Sequence, residues 1–102
     1  MGSRIDLNEE LVEILGTRNV YFQPPESVKL KYPCIIYQLS DEYTFNADDI
    51  RYKKFKRYDL TIIDKNPDSE IPDRVSDSFR YCTFNRFFTS DNLNHYVYQL
   101  YY

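Results

Sequence analysis

The stretch from Pro33 to Ile62, which reads as one long antiparallel β-hairpin, limits what this chain can fold into more than any other feature. Ile35, Tyr37, Leu39, Tyr43 and Phe45 recur at every second residue, apart from one gap at Asp41. After the polar tip Asn46-Ala47-Asp48-Asp49, the period of two resumes at Ile50, Tyr52, Tyr58, Leu60 and Ile62. Such alternation marks strands that bury one face. Folding at the tip pairs Phe45 with Ile50, Tyr43 with Tyr52, Tyr37 with Tyr58 and Ile35 with Leu60. It also sets Glu42 opposite Lys53 and Asp41 opposite Lys54. Cross-strand pairs of either kind stabilise by roughly 0.2–1 kcal/mol each, and a slip of one residue scrambles them all. Each arm is about twice the usual strand length. The outer half is therefore expected to project beyond the core and to contact something else.

At 102 residues the chain, 1–102, reads as a single domain able to bury a core without disulfides or metal. Residues 1–4 are expected to be flexible, and Met1-Gly2-Ser3 resembles a cloning scar. The 11 Tyr and 7 Phe, beside only 2 Gly and no Trp, exceed what so small a core can hold. Tyrosine joins apolar area to a hydroxyl that seeks a partner, so the excess reads as subunit contact surface. A net charge of −3 does not favour a general binder of nucleic acid or anionic membrane. Cys34, in an apolar strand run, and Cys82, ending an amphipathic segment, read as free buried thiols in a reducing compartment. No apolar run approaches the roughly 18 residues of a membrane span, and no signal-peptide pattern opens the chain. The expectation is a soluble protein made inside a cell.

Ile5, Leu7, Leu11, Val12 and Leu15 fall at helical spacing, with Asp6, Asn8, Glu9 and Glu10 near the positive end and Gly16 placed to terminate it. Val20-Tyr21-Phe22 reads as a short strand stopped by Pro24-Pro25. After the hairpin, Pro72 fits the first turn of a second helix whose stripe is Ile71, Val75, Phe79 and Cys82. Two strands follow, Phe84 to Thr89 and His95 to Tyr101, around Ser90-Asp91-Asn92. There Phe88 can face Tyr96, Phe84 can face Leu100 and Phe87 can face Val97. Both faces of this second hairpin carry large apolar residues, so one should meet the helices and the other a neighbouring subunit. The fold class is α+β: about five mostly antiparallel strands and two helices in the order α-β-β-β-α-β-β.

Residues that could carry chemistry are few. The one histidine, His95, has no Ser, Cys or carboxylate at a spacing that would make it a catalytic base, and reads as a turn-end residue. Phosphate-loop, nucleophile-elbow and zinc-type patterns are missing from the sequence, and no cofactor is implied. Asp59, Asp64 and Asp68 are the best candidates for a metal-dependent nuclease, against the simpler reading of one surface carboxylate and two turn formers. Arg51, Lys53, Lys54, Lys56 and Arg57 interleave with Tyr52, Phe55 and Tyr58, a pattern that can hold single-stranded nucleic acid. Asp41, Glu42, Asp48 and Asp49 offset that charge, so a salt-bridged arm is the better reading. Lys56 and Arg57 remain as residues that could face DNA. For self-association the candidates are Tyr43, Phe45, Tyr52 and Phe55 on the long hairpin, with Phe87 and Tyr101 on the second.

The element order also resembles that of the tail terminator, or tail completion, proteins of long-tailed bacteriophages. So do Pro33-Cys34-Ile35-Ile36-Tyr37, Asn46-Ala47-Asp48 at a hairpin tip, and Arg57-Tyr58-Asp59-Leu60-Thr61-Ile62-Ile63-Asp64. Pro67-Asp68-Ser69 and Leu93-Asn94-His95 before a Tyr-rich end are similar to small neck proteins of phages of Gram-positive hosts. The resemblance implies a structural, non-enzymatic virion protein at the head–tail junction, assembled in the host bacterial cytoplasm. It implies a homo-oligomer, a hexameric ring that caps the tail tube, with the tail-tube protein and head-connector proteins as partners. Transient contact with DNA passing through the ring would follow, and no membrane contact. The alternatives are a small nucleic-acid-binding module and a metal-dependent nuclease.

Overall fold

The computed structural model describes residues 3–47 and 51–102, with the side chains of 41–47 and 51–55 outside the description. The first helix, α1, spans Arg4–Leu15. Ser3 is its N-cap: the Ser3 hydroxyl accepts the Asp6 amide at 3.1 Å, so Ser3 and Arg4, expected to be flexible, form the helix start instead. Leu7, Leu11 and Leu15, each one turn apart, are buried. Ile5, read with them on the apolar stripe, is 65% exposed because α1 turns it away from the sheet.

Gly16 ends α1 at φ 86°, and its amide donates to the Val12 carbonyl at 2.9 Å. A Cβ at this position would meet nothing within 4 Å, so substitution isolates the backbone cost. Gly16→Ala should lower stability by about 1 kcal/mol, the penalty of a left-handed L-residue, while Gly16→Asn should cost less. Urea midpoints of the two variants at unchanged slope check this.

The sheet has five strands in the order β1-β2-β3-β5-β4. These are β1 Val20–Phe22, β2 Cys34–Ala47, β3 Arg51–Asp64, β4 Cys82–Ser90 and β5 Leu93–Tyr101. β1 runs parallel to β2 and every other pairing is antiparallel, so the sheet is mixed. The second helix, α2, spans Ile71–Ser78, with Pro72 in its first turn. It stops before Phe79, which is extended, so Phe79 and Cys82 reach the core from beyond the helix and not along its stripe. Both helices cover one face of the sheet. Leu7, Leu11, Leu15, Ile71 and Val75 pack there on Ile35, Tyr37, Tyr58, Leu60, Ile62, Tyr98 and Leu100.

Tyr37 is the largest fully buried side chain of that core. Its ring meets Phe22 at 5.0 Å and Tyr58 at 5.9 Å, and its hydroxyl donates to Asn8 Oδ1 at 2.7 Å. Burial pushes the Tyr37 phenol up, and Arg4 beside it offsets part of the rise. The Arg4 guanidinium also lies 4.7 Å from the Phe22 ring centroid, which ties the start of α1 to β1.

The register of β2 on β3 differs from the expected one. Ile35 pairs with Ile62 and Tyr37 with Leu60, two residues from expectation, an even shift that leaves the same side chains facing the helices. Ser40 is then an extra, unpaired residue between Leu39 and Asp41. Its hydroxyl donates to the Arg57 carbonyl at 2.9 Å and accepts from Arg57 Nε at 3.0 Å. Beyond this bulge Asp41 stands opposite Arg57, Glu42 opposite Lys56, Tyr43 opposite Phe55 and Phe45 opposite Lys53. In the backbone register Arg57 and Lys56 therefore stand where Lys54 and Lys53 were expected, opposite Asp41 and Glu42.

In the second hairpin the turn is two residues, Asp91 and Asn92, both at positive φ (53° and 62°). Asp and Asn tolerate that conformation, which matches strand twist. The expected register moves accordingly: Phe87 pairs with Tyr96, Phe88 with His95 and Phe84 with Tyr98, with a bulge at Asn85.

Candidate assembly surface

β4 lies at one edge of the sheet, and almost every residue along it is exposed. Phe84 and Phe87 share the helix-side face with Tyr98 and Tyr96, which they meet at ring-centroid distances of 5.4 and 5.0 Å. The helices stop short of them, so Phe84 stays 53% and Phe87 49% exposed. On the opposite face Phe88, 39% exposed, stacks on His95 at 4.5 Å. The Arg86 guanidinium lies 5.5 Å from the Phe88 ring. Solitary exposed apolar residues are ordinary, but three phenylalanines along one open strand, two on one face and one on the other, concentrate apolar surface of the kind that marks interaction sites.

Of the residues assigned to self-association, Phe87 lies in this patch. Tyr101 is half-buried on β5, its amide donating to the Tyr81 carbonyl at 2.9 Å. The side chains of Tyr43, Phe45, Tyr52 and Phe55 lie outside the described residues, as do those of Asp41, Glu42, Lys53 and Lys54. Lys56 is exposed, with its backbone paired to Tyr102, while Arg57 is half-buried and held by Ser40. Phe84 and Phe88 were expected only as members of a hairpin with two apolar faces, not as interface residues, and Arg86 carried no expectation. The apolar residues on both parities of Phe84 to Phe88 were the available signal, since an edge strand alone leaves both faces open.

The three nuclease candidates are not brought together. Asp59 and Asp64 are five positions apart on β3. An odd separation puts them on opposite sheet faces, about 16 Å apart along the strand. Asp64 Oδ1 accepts the Asn66 amide at 3.0 Å, and Asn66 Oδ1 in turn accepts the Asp68 amide at 2.9 Å, both turn-forming contacts. Asp59 borders a shallow hollow of about 260 Å³ on the face away from the helices, beside Gln38, Thr61, Gln99 and Arg86. Among the described residues no three potential metal ligands converge. His95 Nδ1 lies 3.2 Å from the Leu93 carbonyl, the turn-end role expected of it.

Both cysteines are free. Burial pushes the Cys34 thiol up to about 12, with the Asp64 charge adding to the rise, and the Cys82 thiol up to about 11. The folded chain thus holds two thiol protons that the unfolded chain releases near its ordinary value of 9.0. Stability from this source is complete below pH 9 and falls as pH rises through about 11 to 12. Urea midpoints should therefore decline from pH 9 upward, and decline less in a Cys34→Ala, Cys82→Ala double variant.

The fold and this surface together define a two-layer α+β domain with one open, aromatic sheet edge. Comparison with profiles of known protein families gives no match, and comparison with curated proteins finds no significant relative.

Proposed function

We propose that this chain is a structural protein that works by self-assembly, as a ring at the head–tail junction of a long-tailed phage. The uncovered aromatic edge at β4 carries the assembly part of this reading: a domain that leaves three phenylalanines open along one strand is built to be covered by protein. The junction, the cap on the tail tube and the docking to the head connector rest on the resemblance of the element order and of the Pro33-to-Tyr37 and Arg57-to-Asp64 segments. The mechanism is interface burial, with apolar rings supplying affinity and hairpin charges setting register between neighbours.

Negative-stain images of concentrated protein, alone and mixed with phage tail tubes, test the reading. Annular particles of about six subunits, or caps at tube ends, are expected. Protein that stays below ring size at every concentration and leaves tube ends bare overturns it.

A further inference from the structure

The two edges of the sheet are finished differently. β1, at one edge, is three residues long and stops at Gln23 (φ 45°), which is followed by Pro24-Pro25. The Gln23 side chain then accepts the Leu39 amide at 3.2 Å, filling the next backbone site on β2. A short strand, prolines and a side-chain plug are the ways proteins keep an edge from pairing. β4, at the other edge, has nine residues, no proline and one charge, Arg86. Its blunting devices are that one charge and the bulge at Asn85, which leaves Arg86 to Ser90 paired without interruption to β5.

We infer that β4 pairs antiparallel with β4 of a second copy of this chain, about a two-fold axis at Phe87. The exposed rings select strand addition over face docking. A partner seated on the helix-side face would cover Phe84 and Phe87 and leave Phe88 open, whereas a strand added in the plane of the sheet flanks all three. The blunt β1 edge selects β4 as the partner strand, because a β4–β1 contact would be only three residues long. Charge then selects the register. Centring the pair on Arg86, the strand midpoint, would set two guanidinium groups against each other. Centring it on Phe87 sets each Arg86 opposite Phe88 of the other copy, the ring type Arg86 already covers within its own chain. Because Asn85 is an extra residue in β4, Phe84 then comes opposite Thr89, on the helix-side face.

The free ring area is modest. Three rings, each about half open, offer roughly 300 Å² per copy, below the roughly 800 Å² per partner of a standard interface. The pair is therefore a concentration-dependent dimer of the free chain. A two-fold contact joins copies facing opposite ways, so a ring with all copies facing one way would have to displace it. The pair stands or falls independently of the head–tail role.

Light scattering and sedimentation across a concentration series should show a shift from one chain to two. Phe87→Lys, which sets two ammonium groups together at an exposed site, should raise the dissociation constant at least tenfold with thermal unfolding little changed. Oxidation separates the register from other dimers: Phe87→Cys should form a covalent dimer much faster than Thr83→Cys on the same strand. A wild-type monomer at all concentrations overturns the inference. So does a dimer indifferent to Phe87→Lys, equal cross-linking at both positions, or an edge that binds tail tubes but not its own copy.

Discussion

Tyr37→Ala should cost about 3–5 kcal/mol, enough to unfold a large share of a domain whose total stability is of order 5–15 kcal/mol. Tyr37 has no exposed surface and stands where α1, β1, β2 and β3 meet, against Phe22, Tyr58 and Asn8. Removing the ring leaves a cavity bounded by strands locked in a ladder, which cannot close around it. Tyr37→Phe keeps the ring and loses the hydroxyl's bond to Asn8, a half-buried side chain able to turn to water, together with its contact to Arg4, so about 1 kcal/mol is expected. Denaturant unfolding of the two variants separates ring from hydroxyl. Similar losses in both would show that the hydrogen bond, not the packing, holds this part of the core.

Leu11→Ala should cost about 2–5 kcal/mol, while Ile5→Ala, six residues earlier on the same helix, should stay within about 0.5 kcal/mol. Leu11 is fully buried at the centre of the α1 contact stripe, and Ile5 is 65% exposed. An isolated helix of 12 residues is marginal in water, so α1 depends on this contact for its persistence. Loss of helical circular dichroism together with the core transition is expected for Leu11→Ala. Two separate transitions would mean that α1 docks onto a sheet already stable without it.

Much of this architecture was legible because short-range rules specify it. Gly16 ends α1 as its spacing implied, and Pro72 opens α2 in the first turn. The alternation of Ile35, Tyr37, Tyr58, Leu60 and Ile62 named the residues that became core. The hairpin register was not legible. It depends on where the chain reverses, and one unpaired residue, Ser40, shifts every pair beyond it. That residue is held by Arg57, 17 positions away, a contact that no local pattern announces. Likewise, the second turn is two residues, Asp91 and Asn92, one fewer than Ser90-Asp91-Asn92, and that difference moves Phe88 from Tyr96 to His95.

Propensity, caps and periodicity act within a turn or a strand, so they specify which elements form and which side of each is apolar. That β4 is an edge strand follows from the packing of distant segments. The order β1-β2-β3-β5-β4 puts the first strand of the second hairpin outermost and leaves Phe84 and Phe87 exposed. Strand order depends on how distant segments divide a shared core, and alternation reads the same in a central strand as at an edge. The aromatic residues were therefore visible as surplus, while the place where the surplus is exposed was set by the strand next to which β4 could, and could not, lie.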